Sequence, residues 1–356
     1  MRMHPQFKLN GQSYDRAGLL RRATFLSKNG KPFEKAIGNF LQDWLNDSKT
    51  IAVTTSGSTG KPKKIYLLKE RMVNSALSTG KFFNIHPGNR ALLCLSAAFI
   101  AGKMMLVRAM VLGMDLDVVP PSGSPLAHNG KTYDFCAMVP LQAGNSLSQL
   151  NQIRTLILGG APVSYKLVQE LKLLDTAVYE TFGMTETISH IAVKQITKVG
   201  QKEASSMFAT LPDVYITLDS RGCLVIEAPK ISVEKLITND LAMLIDTTHF
   251  KWLGRFDNII NSGGIKVIPE QIEEKLAKHI TVRFFIAGVP DVDLGHKVVL
   301  FTEGHQDEQQ LLEQLKSDVT LHKFEIPKTV VNVRSFQETK NGKVNRIAIL
   351  KSLGKV

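Results

Sequence analysis

The chain has 356 residues, enough for two domains of ordinary size and for a core that needs no covalent staples. Hydrophobic residues make up 44% and charged residues 21%, which excludes a largely disordered chain. The net charge of +12 permits nucleic acid, a membrane surface or anionic small molecules, and it is uneven: 30 basic and 20 acidic residues fall in 1–257, against 14 and 12 beyond.

Phe33, Ile37, Phe40, Leu41 and Trp44 recur at helical spacing, and Asn46-Asp47-Ser48 closes that helix. Residues 51–55 then read as a strand, 71–83 as a helix, 91–95 as a strand, 103–112 as a helix and 116–119 as a strand. Residues 155–158, 164–174 and 177–180 continue as strand, helix and strand. This rhythm predicts mostly parallel, helix-covered sheets whose ligands sit beyond the carboxyl ends of the strands. From Gly254 the texture changes. Pro269 starts a helix with Glu270 in its first turn; strands follow near 282–287 and 298–301, a helix over 308–321, a strand over 329–333 and a turn at Asn341-Gly342-Lys343. The expectation is an α/β chain: a large N-terminal domain, 1–256, and a small mobile α+β domain, 257–356. Cys94, Cys136 and Cys223 lie far apart with no Cys-x-x-Cys, and no histidine pair stands at ligand spacing, so no structural zinc is expected. Residues 1–10 lack a signal-type apolar run, and Lys103 and Arg108 interrupt the most apolar stretch, 91–116. Together with the sparse cysteines this predicts a cytoplasmic protein without stable membrane insertion.

The densest motif is Thr54-Thr55-Ser56-Gly57-Ser58-Thr59-Gly60-Lys61-Pro62-Lys63, directly after a strand. Glycines let backbone N–H groups approach a phosphate, hydroxyls donate to its oxygens and lysines offset its charge. It is not a Walker A loop, because Pro62 stands where a metal-binding hydroxyl would be and the glycines are too close. The plain alternative is a surface loop.

This string resembles the phosphate loop of the adenylate-forming superfamily, and five further motifs follow in that family's order. Gly159-Gly160-Ala161-Pro162 resembles its adenine-side turn, and Phe182-Gly183-Met184-Thr185-Glu186 its aromatic-Gly-x-Thr-Glu motif. Thr238-Asn239-Asp240 stands where the family has Thr-Gly-Asp. Gly254-Arg255-Phe256-Asp257 resembles the ribose and hinge segment, and Thr339-Lys340-Asn341-Gly342-Lys343 the C-terminal lysine motif. The resemblance implies an ATP-dependent acid–thiol ligase that uses Mg²⁺ and coenzyme A. It implies Lys343 as the movable catalytic cation, Thr185 on the α-phosphate and Glu186 on the metal. Thr55, Ser56, Gly57, Ser58, Thr59, Gly60, Lys61 and Lys63 would cradle phosphate. Gly160, Ala161, Pro162, Phe182 and Gly183 would border adenine, with Asp240 and Arg255 at the ribose and Asp257 at the hinge. Gly263 and Gly264 would line the CoA channel, the alternative being a tight turn. Phe182 reads equally as a core aromatic.

Three strings, 99–109, 183–192 and 260–267, resemble the short o-succinylbenzoate–CoA ligases of menaquinone (vitamin K2) synthesis. That resemblance implies an aromatic dicarboxylate substrate, one carboxylate activated and the other recognised. Lys103 or Arg108, with Ser189 and His190, are the candidates for the second carboxylate; snorkelling of both cations to solvent is the alternative. Phe99, Glu180, Asn239 and Gln337 depart from the family's usual residues. Another aryl or fatty acyl–CoA ligase, or a carrier-loading adenylation enzyme, is the second reading. A basic nucleic-acid-binding protein is the third, and no helix-turn-helix, zinc-finger or RNA-binding aromatic motif supports it. The expected partners are therefore small molecules, not nucleic acid.

Overall fold

The computed structural model describes residues 3–54, 64–127, 130–197, 205–318, 320–339 and 344–355. The chain opens with two short strands, β1 (Lys8–Leu9) and β2 (Gln12–Ser13), and two helices, α1 (Arg16–Asn29) and α2 (Pro32–Leu45). The Asp15 carboxylate accepts from Gly18 N and caps α1, while Pro32 opens α2 with its missing N–H where no partner exists. The helices touch closely at Gly38, where an added Cβ would stand 2.5 Å from Ser27 N.

Strands and helices then alternate: β3 (Thr50–Thr54), β4 (Lys64–Leu68), α3 (Lys69–Phe83), β5 (Arg90–Leu93), α4 (Ile100–Leu112), β6 (Asp115–Val118), β7 (Tyr133–Met138), α5 (Pro140–Asn145), β8 (Ile153–Leu158), α6 (Tyr165–Leu171) and β9 (Ala177–Gly183). β6, β5, β7, β8 and β9 lie side by side, all parallel, with β1 added parallel to β6. Side chains alternate across this sheet. Leu93 and Phe135 join a core beneath α1–α4, while Leu92, Cys94, Cys136 and Met138 join a second core beneath α5 and α6. Such double burial is why these strands read as continuous apolar runs.

The predicted elements of this half are found, though α6 stops at Leu171, three residues short of its predicted end, and two further differences concern the sheets. The strand after α2 lies outside the parallel sheet: β3 pairs only antiparallel with β4, as a two-stranded sheet. And β7, which lies between β5 and β8, was not among the predicted elements; its run begins on Tyr133-Asp134, and no helical pattern precedes it to mark the rhythm.

The α/β class holds, and beyond β9 the same sheet continues antiparallel where mostly parallel pairing was expected. β10 (His190–Thr197), β11 (Phe208–Thr210), β12 (Tyr215–Leu218), β13 (Cys223–Glu227), β14 (Leu236–Leu244) and β15 (His249–Arg255) complete a 13-stranded order. From β11 to β15, short connections replace the crossover helices that parallel pairing requires.

After Arg255 a second sheet forms from β16 (Ile260–Ser262), β17 (Ile265–Val267), β18 (Phe284–Asp291), β19 (Gly295–Glu303) and β20 (Thr329–Val333), with α7 (Pro269–Leu276), α8 (Glu308–Ser317) and α9 (Arg346–Ser352). α8 stops four residues before its predicted end because Asp318 leaves the helical conformation. This sheet has its own two cores. Ile286, Val298 and Leu300 face α7 and α8, and Phe285, Phe301 and Phe336 face Ile349. No buried member of the first pair of cores lies beyond Phe250, and none of the second pair before Ile260. Among the described residues no helix is long and apolar enough to cross a membrane.

Candidate active site

The carboxyl ends of β8 and β9 carry two of the sequence motifs. After β8 the chain turns at Gly159-Gly160, with Gly160 at φ 85°, a conformation that glycine adopts without a Cβ penalty. Gly159 has no room for a side chain, since a Cβ would stand 2.5 Å from Thr181 Oγ1. Ala161 and Pro162 follow, and Val163 N donates to Glu180 Oε1, whose other oxygen pairs with Lys194 at 2.7 Å. The turn and the end of β9 are thus tied together.

β9 ends at Phe182-Gly183. A Cβ on Gly183 would meet Ser189 O at 2.4 Å, so the returning chain lies directly against it. The return is built by Thr187 and Ile188. Thr187 Oγ1 accepts from Met184 N and donates toward Ser189 O, each at 2.8 Å. Ile188 sits at φ 67°, a left-handed conformation that is strained for a β-branched residue. This strain turns Ser189 and His190 inward and leaves Glu186 exposed at the tip, with Thr185 half-buried. Phe182 packs edge-on against Phe208 and Phe250, with ring centroids 5.8 and 5.3 Å away, and keeps part of its surface open.

Ser189 and His190 meet Arg108 of α4. The guanidinium is 2% exposed. Its Nη2 donates to Ser189 Oγ at 3.1 Å and to His190 Nδ1 at 3.4 Å, and its Nε donates to Thr79 Oγ1 at 3.4 Å. Because His190 Nδ1 accepts, Nε2 carries the proton and points to Thr79 Oγ1 at 3.4 Å. Ser75 Oγ lies 2.8 Å from Ser189 Oγ. Burial lowers the Arg108 pKa to about 10, which leaves it charged at neutral pH. Burial, with Arg108 beside it, holds His190 well below the usual imidazole range, so the ring is neutral. Among the described residues no carboxylate pairs with Arg108. A buried cation held by neutral acceptors alone is a costly arrangement unless an anion completes it.

Three of the four residues expected around a second carboxylate are therefore together, and snorkelling does not describe Arg108. Lys103 is not with them. It sits about 140° around α4 from Arg108, where its ammonium donates to Ala52 O at 3.5 Å and lies 6.0 Å from the Phe40 ring centre. Burial lowers its pKa, and the Asp43 carboxylate opposes that shift. Thr79 and Ser75, which complete the cluster, were not singled out from sequence. Their position one helical turn apart on α3 was the only available signal.

Asp240 and Arg255 are direct cross-strand partners on β14 and β15. Asp240, 7% exposed, accepts from Trp252 Nε1 at 3.0 Å and from Arg255 Nη1 at 3.4 Å. Arg255 Nη2 reaches Asp257 at 3.0 Å. Trp252 is the residue sequence reasoning missed here. Gly263 and Gly264, at φ 59° and 82°, form the two-residue turn between β16 and β17, so a tight turn accounts for both. The phosphate-loop residues Thr55–Lys63 and the catalytic candidate Lys343 lie outside the described residues; β3 and β4 end at the flanks of the former. Among the described residues no group of three His, Cys, Asp or Glu side chains stands ready for a metal. The single exposed carboxylate of Glu186 fits Mg²⁺ that brings its own phosphates and waters, the usual manner for that ion.

Residues 41–225, more than half of the chain, match the family model described as AMP-binding enzyme. The chain belongs to that family. Among curated AMP-binding relatives, it is 24% identical over 332 residues to the 2-succinylbenzoate–CoA ligase of Listeria monocytogenes, covering 86% of this chain and 70% of that one. Among solved structures, an acyl-CoA synthetase (AMP-forming)/AMP-acid ligase II-like protein from Dyadobacter fermentans is 34% identical, with a TM-score of 0.62, covering 93% of this chain and 97% of that one. The o-succinylbenzoate coenzyme A synthetase of Bacillus subtilis, solved with its acyl-adenylate intermediate, shares the fold at 23% identity and a TM-score of 0.71, over 84% of this chain and 68% of that one. The chain thus spans about two thirds of the length of the named ligases and nearly all of the Dyadobacter protein.

Proposed function

We propose that this AMP-binding enzyme is an acid–CoA ligase that acts on 2-succinylbenzoate in two steps. The observation that carries the substrate is Arg108: a buried cation with no carboxylate partner among the described residues, beside the motif that ends β9. A dicarboxylate supplies the missing anion through the carboxylate that does not react. Family membership and the likeness to ligases of this name support the rest.

In the first step an oxygen of the reacting carboxylate attacks the α-phosphorus of ATP; the new P–O bond forms as the bond to pyrophosphate breaks. In the second, the CoA thiolate attacks the acyl carbon and AMP leaves. Both reactants of the first step are anions, so holding them together requires positive charge and fixed donors. The role of Lys343 is to neutralise the charge that develops, with Thr185 donating to the α-phosphate. Glu186 would hold Mg²⁺, which offsets phosphate charge when bound. Adenine lies between Gly160-Ala161-Pro162 and Phe182, and Asp240 accepts from the ribose while Arg255 stays within reach of both. Asp240 already accepts two hydrogen bonds, and a carboxylate has about four lone-pair sites, so the ribose has room. The separate cores support two units, 1–256 and 257–356, joined at Asp257, with Gly263 and Gly264 on the small unit facing the CoA path. The work is assigned to the cytoplasm.

The test is CoA-dependent pyrophosphate release with ATP and Mg²⁺, comparing 2-succinylbenzoate, benzoate and hexanoate. Preference for 2-succinylbenzoate is expected. Preference for either monocarboxylate would move the chain to the aryl or fatty acyl ligases and leave Arg108 without its substrate role.

A further inference from the structure

One short run, residues 256–259, joins the two separately cored units, since β15 ends at Arg255 and β16 begins at Ile260. It is held from both sides. From the small unit, Glu270 Oε1 accepts from Asn258 Nδ2. Glu270 Oε2 packs against Gly254, where an added Cβ would stand 2.4 Å from it. From the large sheet, Asn239 Nδ2 donates to both oxygens of Asp257, at 3.2 and 3.1 Å.

The Asn239 amide is fixed in that sense. Its Oδ1 accepts from Arg221 Nη1 at 2.8 Å, and Arg221 in turn donates to Thr238 O at 2.9 Å and to Asp219 Oδ2 at 2.8 Å. The same guanidinium lies 5.1 Å from the centre of the Phe256 ring. Arg255 closes the other side by bridging Asp257 to Asp240. The family's usual glycine at position 239 has no side chain to reach Asp257, so this hold belongs to the present chain.

We propose that Asn239 is a positioning residue. With Arg221 it clamps the junction in the orientation seen here, and it thereby sets how readily the small unit turns between the two steps of the reaction. Turning about 256–259 changes the backbone angles of Asp257 and carries its carboxylate away from the amide. The hydrogen bonds are exposed, so each contributes modestly and the expected effect is about fivefold. The inference rests on the two-step ligase reading only for its consequence, not for the clamp.

The experiment uses the full chain with Asn239→Gly, Asn239→Ala and Asn239→Asp, the last placing a second negative charge beside Asp257. Trypsin cleavage of the Arg255–Phe256 bond, followed by mass spectrometry without any substrate, is expected to quicken about fivefold in the first two and more in the third. In single turnovers, the ratio of adenylate formation to thioester formation from supplied acyl-adenylate shifts by a similar factor, with the KM for ATP unchanged. Unaltered cleavage in all three variants overturns the clamp. Faster cleavage with an unaltered ratio in active enzyme overturns the positioning role. Equal loss of both steps with a lowered Tm makes Asn239 merely structural and also overturns it. Faster cleavage in a protein that turns over no acid supports the clamp and overturns the ligase reading, which keeps the two failures distinct.

Discussion

The Arg108 cluster and the Asp240–Arg255 edge each centre on an arginine, but they balance charge in opposite ways. Arg108 is buried to 2% exposure and, among the described residues, faces hydroxyls, a neutral imidazole and the Met105 sulfur. Arg255 is half-exposed and faces two carboxylates, Asp240 and Asp257. The first region holds a charge without its opposite, and on the proposed function an anionic guest completes it. The second is balanced already, and a neutral guest such as a ribose can enter by sharing acceptors. On that reading one arrangement would select a ligand by charge, and the other would hold a ligand by geometry and couple it to the junction between the units.

The largest effect we expect lies outside both regions and sets the scale for them. Lys343→Ala should lower adenylate formation by about two to three orders of magnitude, while supplied acyl-adenylate is still converted with CoA. Equal loss in the two steps would remove Lys343 from its assigned role. Next comes the pocket. Arg108→Met should raise the KM for 2-succinylbenzoate about a hundredfold, as expected when one partner of a buried charge pair is truncated. Turnover of benzoate should change little. The same substitution removes an uncompensated buried charge, so the Tm should hold or rise. A Tm that falls by several degrees, with both acids affected alike, would show that Arg108 serves the fold and would dissolve the contrast with Arg255.

How far each region was legible in the sequence follows from the same contrast. Arg108 announced itself as a cation interrupting an apolar run, and the parallel order around it followed from the strand–helix rhythm. What the sequence could not convey is that Ile188 takes a left-handed turn, because the bend depends on Thr187 bonding both Met184 and Ser189. Without that bend, Lys103 and Arg108 look equivalent; with it, only Arg108 meets Ser189 and His190. At the other region the motif identified Asp240 and Arg255, but the bond from Trp252 to Asp240 depends on the antiparallel register of β14 and β15, which shifts between Leu241 and Ala242. Such an irregularity in register leaves little trace in local pattern. β3 misled for a similar reason: its apolar alternation suits either sheet, and only β4, across the phosphate loop, decides which it joins.

Asp240→Asn tests the balanced region and should have a smaller effect. Asn keeps an oxygen for the Trp252 indole but removes the charge that faces Arg255 and the ribose. The KM for ATP should rise about tenfold, in line with loss of charge-assisted hydrogen bonds, and the KM for 2-succinylbenzoate should stay put. A matching rise in the acid's KM would mean that the two regions act as one site.

The smallest effect sharpens the electrostatics of the pocket. His190 is held neutral in the fold, its pKa well below the ordinary imidazole value, by burial first and by Arg108 second. The unfolded chain titrates near pH 6.5. Between that pH and the lower folded pKa, the unfolded state binds more protons than the native one. Stability is therefore fully present above about pH 6.5 and declines as the pH falls below it, with a slope of at most about 1.4 kcal/mol per pH unit from this group. His190→Gln keeps a hydrogen-bonding side chain that cannot be protonated, so it should flatten the loss of Tm between about pH 6.5 and 5. Arg108→Met should flatten it less, because it removes only the second cause of the shift. Identical acid profiles for wild type and His190→Gln would mean that the ring binds protons equally in the folded and unfolded chain and gains charge beside Arg108 at mildly acid pH. Arg108 would then face a second cation below about pH 6.5 instead of a neutral acceptor, and in that range the cluster would favour a dianionic guest over the single free carboxylate assigned to it.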